Sequence, residues 1–430
     1  MSQHPASTPS FEEATFSKVT WRLLPLLFLC YVASYLDRVN VGFAKLQMLA
    51  DLKFSETVYG LGAGIFFIGY FIFEVPSNII LHKVGARLWI ARIMITWGII
   101  SGAMIYVTTP EMFYVMRFLL GVAEAGFFPG VILYLTYWYP SHRRGKITAL
   151  FMTGIALSGV IGGPLSGWIM HSMPGVYGMS GWQWMFILEA IPSLVLGVVI
   201  IFYMKDRIRD ADWLSETEKQ LLESQIKAEA SQKQETSMGQ MFANPKVWLS
   251  ALIYFCFVMG LYGVSFWLPT IIKTTGVTDP LNIGLLTAIP YAFAAVAMVL
   301  VGRSADKHRE RRWHVAIPAF LGAIGLLLST MYDHNTIVAM AALTLATIGI
   351  MTTLPLFWSL PTAFLGGAAA AAGIALINSL GNLAGFVSPY LVGWLKDATQ
   401  STNSGMYVLA ASLVLGGLLT LTVPARLVNK

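Results

Sequence analysis

Lys205 to Pro245 reads KDRIRDADWLSETEKQLLESQIKAEASQKQETSMGQMFANP. The stretch mixes both charge signs and holds no apolar run of the roughly 20 residues that a membrane crossing takes. Ser215 with Glu218 three positions on is a capping-box pattern, which predicts a helix start. Leu214, Leu221, Leu222 and Ile226 then recur at helical spacing. Taken as residues 205–246, the segment reads as a linker with one amphipathic helix. Its flanks decide the fold. Six apolar runs of spanning length precede it, from 21–44 to 182–204, and six follow it, from 247–271 to 405–425. Runs this long without alternation are helices, because a membrane barrel shows alternating segments of about ten residues.

Composition points the same way. Of 430 residues 56% are hydrophobic and only 12% are charged, against about 25% charged in soluble domains. Twenty-eight bases and 22 acids cannot coat a soluble globule of this length, which excludes an ordinary soluble enzyme and a nucleic-acid binder. Cys30 and Cys256 both lie in apolar runs, so no disulfide framework is expected. Residues 1–17 are polar and lack a basic stretch before a cleavage site, so the first run reads as a retained helix. The expectation is an all-α membrane protein with twelve transmembrane helices in two six-helix pseudo-symmetric bundles. Residues 1–20 form an N-terminal tail, 21–204 the first bundle, 205–246 the linker, 247–425 the second bundle and 426–430 a C-terminal tail.

Basic residues set the orientation. Loops on one side carry Lys83 and Arg87, then Arg143, Arg144 and Lys146, then a run from Arg303 to Arg312. Opposite loops carry Lys53, Lys273 and Lys396, each near an acid. The first side is expected to be cytoplasmic, with both termini inside. The halves also repeat. Gly159, Gly163, Pro164 and Gly167 in the fifth run correspond to Gly381, Gly385, Pro389 and Gly393 in the eleventh. Gly/Pro-interrupted spans in corresponding positions point to a transporter with its site between the halves.

Several stretches carry a family likeness. Gly302-Arg-Ser-Ala-Asp306-Lys307, ending at Arg311 and Arg312, resembles the cytoplasmic signature of the major facilitator superfamily. Arg117-Phe-Leu-Leu-Gly121-Val-Ala-Glu124-Ala-Gly126 resembles its fourth-helix motif, and Gly159-x-x-x-Gly163-Pro164-x-x-Gly167 its fifth-helix motif. The loop from Asn78 to Arg87 departs from the signature, with Asn78 and Lys83 where a tighter Gly and Asp-Arg pattern would stand. The resemblance implies a cytoplasmic gate built from Gly302, Asp306 and Lys307 on one side and Asn78 and Arg87 on the other. Ser34-Tyr35-Leu36-Asp37-Arg38-Val39-Asn40, with Val75-Pro76-Ser77-Asn78, is similar to the anion:cation symporter family within that superfamily. Its members carry organic anions such as tartrate, phthalate, hydroxyphenylacetate and sugar acids, with protons or sodium, and the bacterial carboxylate permeases look closest. The resemblance implies a bacterial inner membrane, proton coupling at Asp37 and Glu124, and anion binding or coupling at Arg38.

Ionisable groups inside a span are costly and are functional candidates by default. Here they are Asp37, Arg38, Glu74, Arg117, Glu124 and Glu189. Arg117 and Glu124 are seven residues apart, so they share a helix face about 10 Å apart along the axis. That spacing leaves Arg117 as a fixed guanidinium that could clamp a carboxylate in a fork, and Glu124 as an acid free to exchange a proton. The alternative is a structural Arg117 and a packing Glu124. Adjacent Asp37 and Arg38 point about 100° apart, one to the cavity and one to a neighbouring helix, or they form a local buried pair. Tyr35, Asn378 and Asn382 are further expected substrate contacts, and the resemblance implies that Tyr70, six residues before Pro76, lines the cavity, with bundle packing as the alternative for each. Glu74 is read as bracing the gate, Glu189 as tying helices together, and Trp267 as a stacking face or an interface anchor.

There is no phosphate-cradling Gly loop and no Cys/His metal cluster in the sequence. The expected function is import of a small organic anion by proton symport, with an antiporter or efflux carrier as the alternative. The coupling ion is a proton or sodium, with no bound cofactor and no metal. The expected partners are that anion and the lipid bilayer, with no nucleic acid, and the protein is expected to work as a monomer.

Overall fold

The computed structural model describes residues 10–230, 244–332, 334–364 and 367–429. Residues 1–9 of the expected tail, 231–243 of the linker, and Gly366, which with Gly367 reads in the sequence as a break between the tenth and eleventh apolar runs, lie outside the described residues. Among the described residues there is no strand, and twelve helices are long and apolar enough to cross a membrane. They are grouped six before and six after the linker helix Glu216–Ala230. That helix opens as its sequence indicates. Ser215 Oγ accepts from the Glu218 backbone N–H at 3.3 Å, and Glu218 accepts from the Ser215 N–H at 2.7 Å.

Both described ends lie on the linker's side, here called the terminal face. Lys18 near the start of span 1 (Phe11–Leu52) pairs with linker Glu218 at 2.9 Å. Asn429, beyond span 12 (Asn403–Thr422), accepts from the Arg311 backbone N–H at 2.8 Å, at the loop joining span 8 (Pro280–His308) to span 9 (Arg312–Met331). The opposite side is the far face.

Four spans seal the far half of the molecule. Span 2 (Glu56–Val84) runs along span 11 (Gly373–Thr399), and span 5 (Arg143–Ser172) along span 8. The repeated glycines make this possible. A Cβ on Gly163 would stand 2.6 Å from the Gly284 carbonyl oxygen, and one on Gly167 2.5 Å from that of Pro280. The nearest atom at each position is backbone, which yields little, so glycine is favoured there, and small residues are what let membrane helices close to this distance.

Several spans are divided within the membrane, and the breaks in spans 1 and 4 fall beside the buried charges. Span 1 divides at Asn40 into helices Phe11–Val39 and Val41–Leu52. Span 4 (Pro110–Thr136) reads in the sequence as one apolar run over 111–138. It divides into Pro110–Glu124 and Phe127–Thr136, with Ala125 at ψ 129° and Gly126 at φ +87°. A positive φ there favours glycine, and Pro129 sits in the first turn after the break, where its missing N–H is harmless. Broken helices at membrane depth occur where they line a cavity.

Candidate functional site

The break in span 4 leaves Glu124 as the last residue of its first half-helix, aimed at span 1. Arg38 meets it. Its Nη2 and Nε both donate to Glu124 Oε1, the latter at 3.1 Å, and Ser34 Oγ donates to the same oxygen at 2.7 Å. The remaining guanidinium nitrogen, Nη1, donates to the Tyr262 hydroxyl on span 7 (Pro245–Thr274) at 2.9 Å. Arg38 therefore joins the two bundles. Glu124 is fully buried and Arg38 nearly so, and a buried pair of this kind holds only while both charges keep their partners.

Asp37 points elsewhere, as adjacent helical positions require. It accepts from Ser193 Oγ at 2.5 Å, Trp97 Nε1 at 2.9 Å and Ser101 Oγ at 3.1 Å, all inside the N-terminal bundle. Glu189 accepts from Ser166 Oγ at 2.6 Å, tying span 6 (Gly181–Tyr203) to span 5.

The structure does not bring Arg117 to the cavity. Its side chain is fully buried between spans 1, 2 and 4, where Nε donates to the Gly62 carbonyl at 3.3 Å and Nη2 to those of Arg38 and Ala63 at 3.3 and 3.4 Å. The expected fork toward a substrate carboxylate is absent in this conformation, because the guanidinium is turned into helix backbone.

Tyr35, Arg38, Tyr70, Asn378 and Asn382 do come together. They line one cavity between the bundles, with about 570 Å³ of unfilled space including the part open to solvent. Much of the remaining wall is aromatic, from Tyr31, Phe67, Phe128, Tyr254 and Tyr262. On the far side the floor is closed by Ser265, which bonds the Tyr35 hydroxyl at 2.9 Å and the Tyr291 hydroxyl at 3.3 Å. Glu74 stands beside the cavity and accepts from Ser379 Oγ at 3.2 Å and Asn378 Nδ2 at 3.4 Å, crossing from span 2 to span 11.

The far-face seal is charged as well as close-packed. Glu56 bridges Lys45 and Lys396, each at 2.6 Å, and Lys45 lies 3.5 Å from the centre of the Trp267 ring. Asp397 accepts from the Thr57 backbone N–H at 2.7 Å, and His171 meets Asp279 at 2.6 Å. Trp267 is fully buried in this plug, so it is neither an interface anchor nor a cavity wall.

No such bridge forms between the expected gate residues on the terminal face. Asp306 pairs with Arg311 at 2.6 Å in its own half, Lys307 is exposed, and a Cβ on Gly302 would have no neighbour within 4 Å. Across from them, the Arg87 backbone N–H donates to Asp206 at the start of the linker at 2.8 Å and Asn78 Nδ2 to the Glu74 carbonyl at 3.0 Å, neither reaching the second bundle. The gate expected from the sequence is not closed in this conformation.

Residues 27–389 match the Major Facilitator Superfamily family. The chain belongs to that superfamily. It is 50% identical over 420 residues to a Pseudomonas putida protein named "Putative metabolite transport protein NicT", covering 97% of this chain and 96% of that one. It is 51% identical to an Agrobacterium vitis "Putative tartrate transporter", covering 95% and 94%, and 42% identical to an Acinetobacter baumannii "Quinolone resistance transporter", covering 97% and 96%. A partially occluded inward-open structure of the Escherichia coli xylose transporter XylE shares the fold at 17% identity, with a TM-score of 0.75 over 95% of this chain and 98% of that one. This facilitator is a multi-pass membrane transporter and not an enzyme.

Two site features of this facilitator escaped the sequence reading. Lys45 stands one position past the boundary drawn for the first span, so it was not counted among the intramembrane charges. Tyr254 and Tyr262 are absent from that reading; the signal that points to them is a polar-tipped ring at helical spacing on a long apolar span.

Proposed function

We propose that this facilitator imports a small organic anion by proton symport across a bacterial inner membrane, acting as a monomer with both termini cytoplasmic. The observation that carries the reading is the Arg38–Glu124 pair, whose guanidinium lines the cavity while its carboxylate partner lies behind it. An arriving carboxylate and Glu124 compete for one guanidinium. When the anion takes Arg38, Glu124 loses its counter-charge, and a proton on Glu124 restores neutrality. Anion and proton therefore load together, which is the linkage that coupling needs. Release on the terminal side reverses both steps, and Arg38 recaptures Glu124. Alternating access then carries the loaded site from one face to the other by rocking the bundles. Asp37, held by three donors within the N-terminal bundle, keeps Arg38 on the cavity side, and the terminal-face charges around Asp306 and Arg87 bias one gate state over the other.

The quinolone-resistance relative supports a second reading, proton-driven export. Uptake of labelled carboxylates into vesicles with an imposed pH difference separates the two. Accumulation on the alkaline side marks symport, and expulsion toward the acidic side marks antiport. Accumulation that follows a sodium gradient at uniform pH would replace the proton with sodium.

A further inference from the structure

We infer that the cavity takes a ring-bearing monocarboxylate, and takes an aliphatic dicarboxylate only after one of its carboxylates has been neutralised. The inference rests on the proposed coupling at Arg38 and Glu124 and narrows its substrate.

The first argument is charge. Among the described residues that line the cavity, Arg38 is the only one with a formal charge. Arg117, the other buried guanidinium nearby, is turned into the carbonyls of Gly62, Ala63 and Arg38 and offers the cavity nothing. Lys45 is held at the far-face seal by Glu56. The resting pair Arg38–Glu124 is neutral. One monoanion with one proton on Glu124 is neutral again. A dianion brings a second negative charge into the same space with no cation to meet it, and an unpaired charge away from water is strongly disfavoured.

The second argument is the wall. Apart from Arg38 and the amides of Asn378 and Asn382 on span 11, the surface is made of tyrosine and phenylalanine rings and of Met152, Ile155, Leu261 and Leu354. The Phe67 and Tyr262 rings pack at 4.4 Å, and Tyr254 stacks on Phe357 at 4.9 Å, so these are fixed plates and not loose side chains. A planar ring gains from such plates by stacking and apolar burial. A polyhydroxylated chain has no flat face to stack on these plates, although the hydroxyls of Tyr31, Tyr70 and Tyr254 also line the cavity. The fitting ligand has a carboxylate for Arg38, a ring for the aromatic wall and one hydrogen-bonding substituent for the span 11 amides.

Calorimetric binding to the purified full-length protein at neutral pH tests this with four probes: 4-hydroxybenzoate, gluconate, tartrate and the monomethyl ester of tartrate. The expected result is tightest binding of 4-hydroxybenzoate. The monoester, with one charge fewer than tartrate and nearly the same shape, should bind at least tenfold more tightly than tartrate. All measurable binding should be lost in Arg38→Gln. Tartrate binding as tightly as its monoester overturns the charge argument, and gluconate binding more tightly than 4-hydroxybenzoate overturns the ring argument. In both cases loss of binding in Arg38→Gln would leave the proposed function standing. Binding that survives Arg38→Gln, or no binding by any probe, overturns the proposed function and this inference together.

Discussion

The two bundles share a fold and divide the chemistry. Every charged side chain that is buried among the described residues, from Asp37, Arg38 and Lys45 to Glu74, Arg117, Glu124 and Glu189, comes from the N-terminal half. The C-terminal half answers with neutral groups: the hydroxyls of Tyr262 and Ser265, the amides of Asn378 and Asn382, and aromatic faces. Buried charge needs a partner fixed in place, because a charge separated from its partner in a low-dielectric interior is costly. Keeping the pair on one rigid body lets it survive the rocking of the bundles. Contacts that cross between bundles must break in each cycle, and neutral hydrogen bonds are cheaper to break than ion pairs. Among the described residues, the crossing that joins three charges, Glu56 with Lys45 and Lys396, sits at the far-face seal and not at the cavity.

The largest effect expected of this division is at Arg38. Arg38→Gln removes one partner of a buried pair, a change of about 3–5 kcal/mol. Anion binding should weaken by roughly a hundredfold or more, measured by calorimetry, with the protein still folded because Glu124 can be neutralised by a proton. A variant that binds as wild type would break the assignment of charge recognition to the N-terminal half.

Next comes the seal between the halves. Gly163→Val places carbon against the Gly284 carbonyl. Overpacking of this kind costs about 1–3 kcal/mol, which can tip a two-state balance by roughly 5–150-fold. In a protein with Cys30→Ala and Cys256→Ala, a Ser265→Cys probe on the cavity floor should become reactive to an impermeant thiol reagent added from the far face. Unchanged protection would show that this helix contact does not hold the far face shut.

A smaller effect is expected at Tyr262 on the neutral side. Tyr262→Phe loses a hydrogen bond to the charged Arg38 guanidinium, worth about 1.5 kcal/mol at the low end for such a bond. Affinity should fall roughly tenfold while the ratio of protons to anions carried stays the same. A changed ratio would move coupling into the C-terminal half and erase the contrast.

The smallest effect lies outside the membrane, at Glu310 in the loop after span 8. Partial burial pushes its carboxyl up. The backbone N–H groups of Trp313 and His314, the His314 ring and the Asn429 amide outweigh that and hold it below the usual carboxylate range. A depressed folded value means stability that is present above the ordinary glutamate value of about 4.3 and is lost as pH falls through the folded value. Glu310→Gln should therefore lower thermal stability modestly at neutral pH and not at all in strong acid, with no change in transport.

The reach of the sequence follows the same division. Twelve spans were legible because apolar runs of membrane length have one solution, and the glycine repeat was legible because it recurs. Tyr35, Asn378 and Asn382 are legible as polar groups inside a span, Arg38 as a charge there and by resemblance, and Tyr70 by resemblance, and all five line one cavity. Rotation about a helix axis was not legible. Seven-residue spacing puts Arg117 and Glu124 on one face, but it does not say that Arg117 ends in the carbonyls of Gly62 and Ala63. Nor did it reveal the break after Glu124, although Gly126 and Pro129 mark it. The gate around Asp306 depends on conformation, which no sequence fixes: its charges pair within their own half here because the terminal side is not closed.

The central claim is that Glu124 carries the proton because Arg38 releases it to bind the anion. Glu124→Gln in vesicles with an imposed pH difference tests that claim most directly. The variant should still exchange labelled for unlabelled anion and should bind it with little dependence on pH. It should fail to accumulate anion against a gradient. Uphill accumulation that persists in Glu124→Gln and disappears in Asp37→Asn would contradict the account and place coupling in the pocket of Trp97, Ser101 and Ser193.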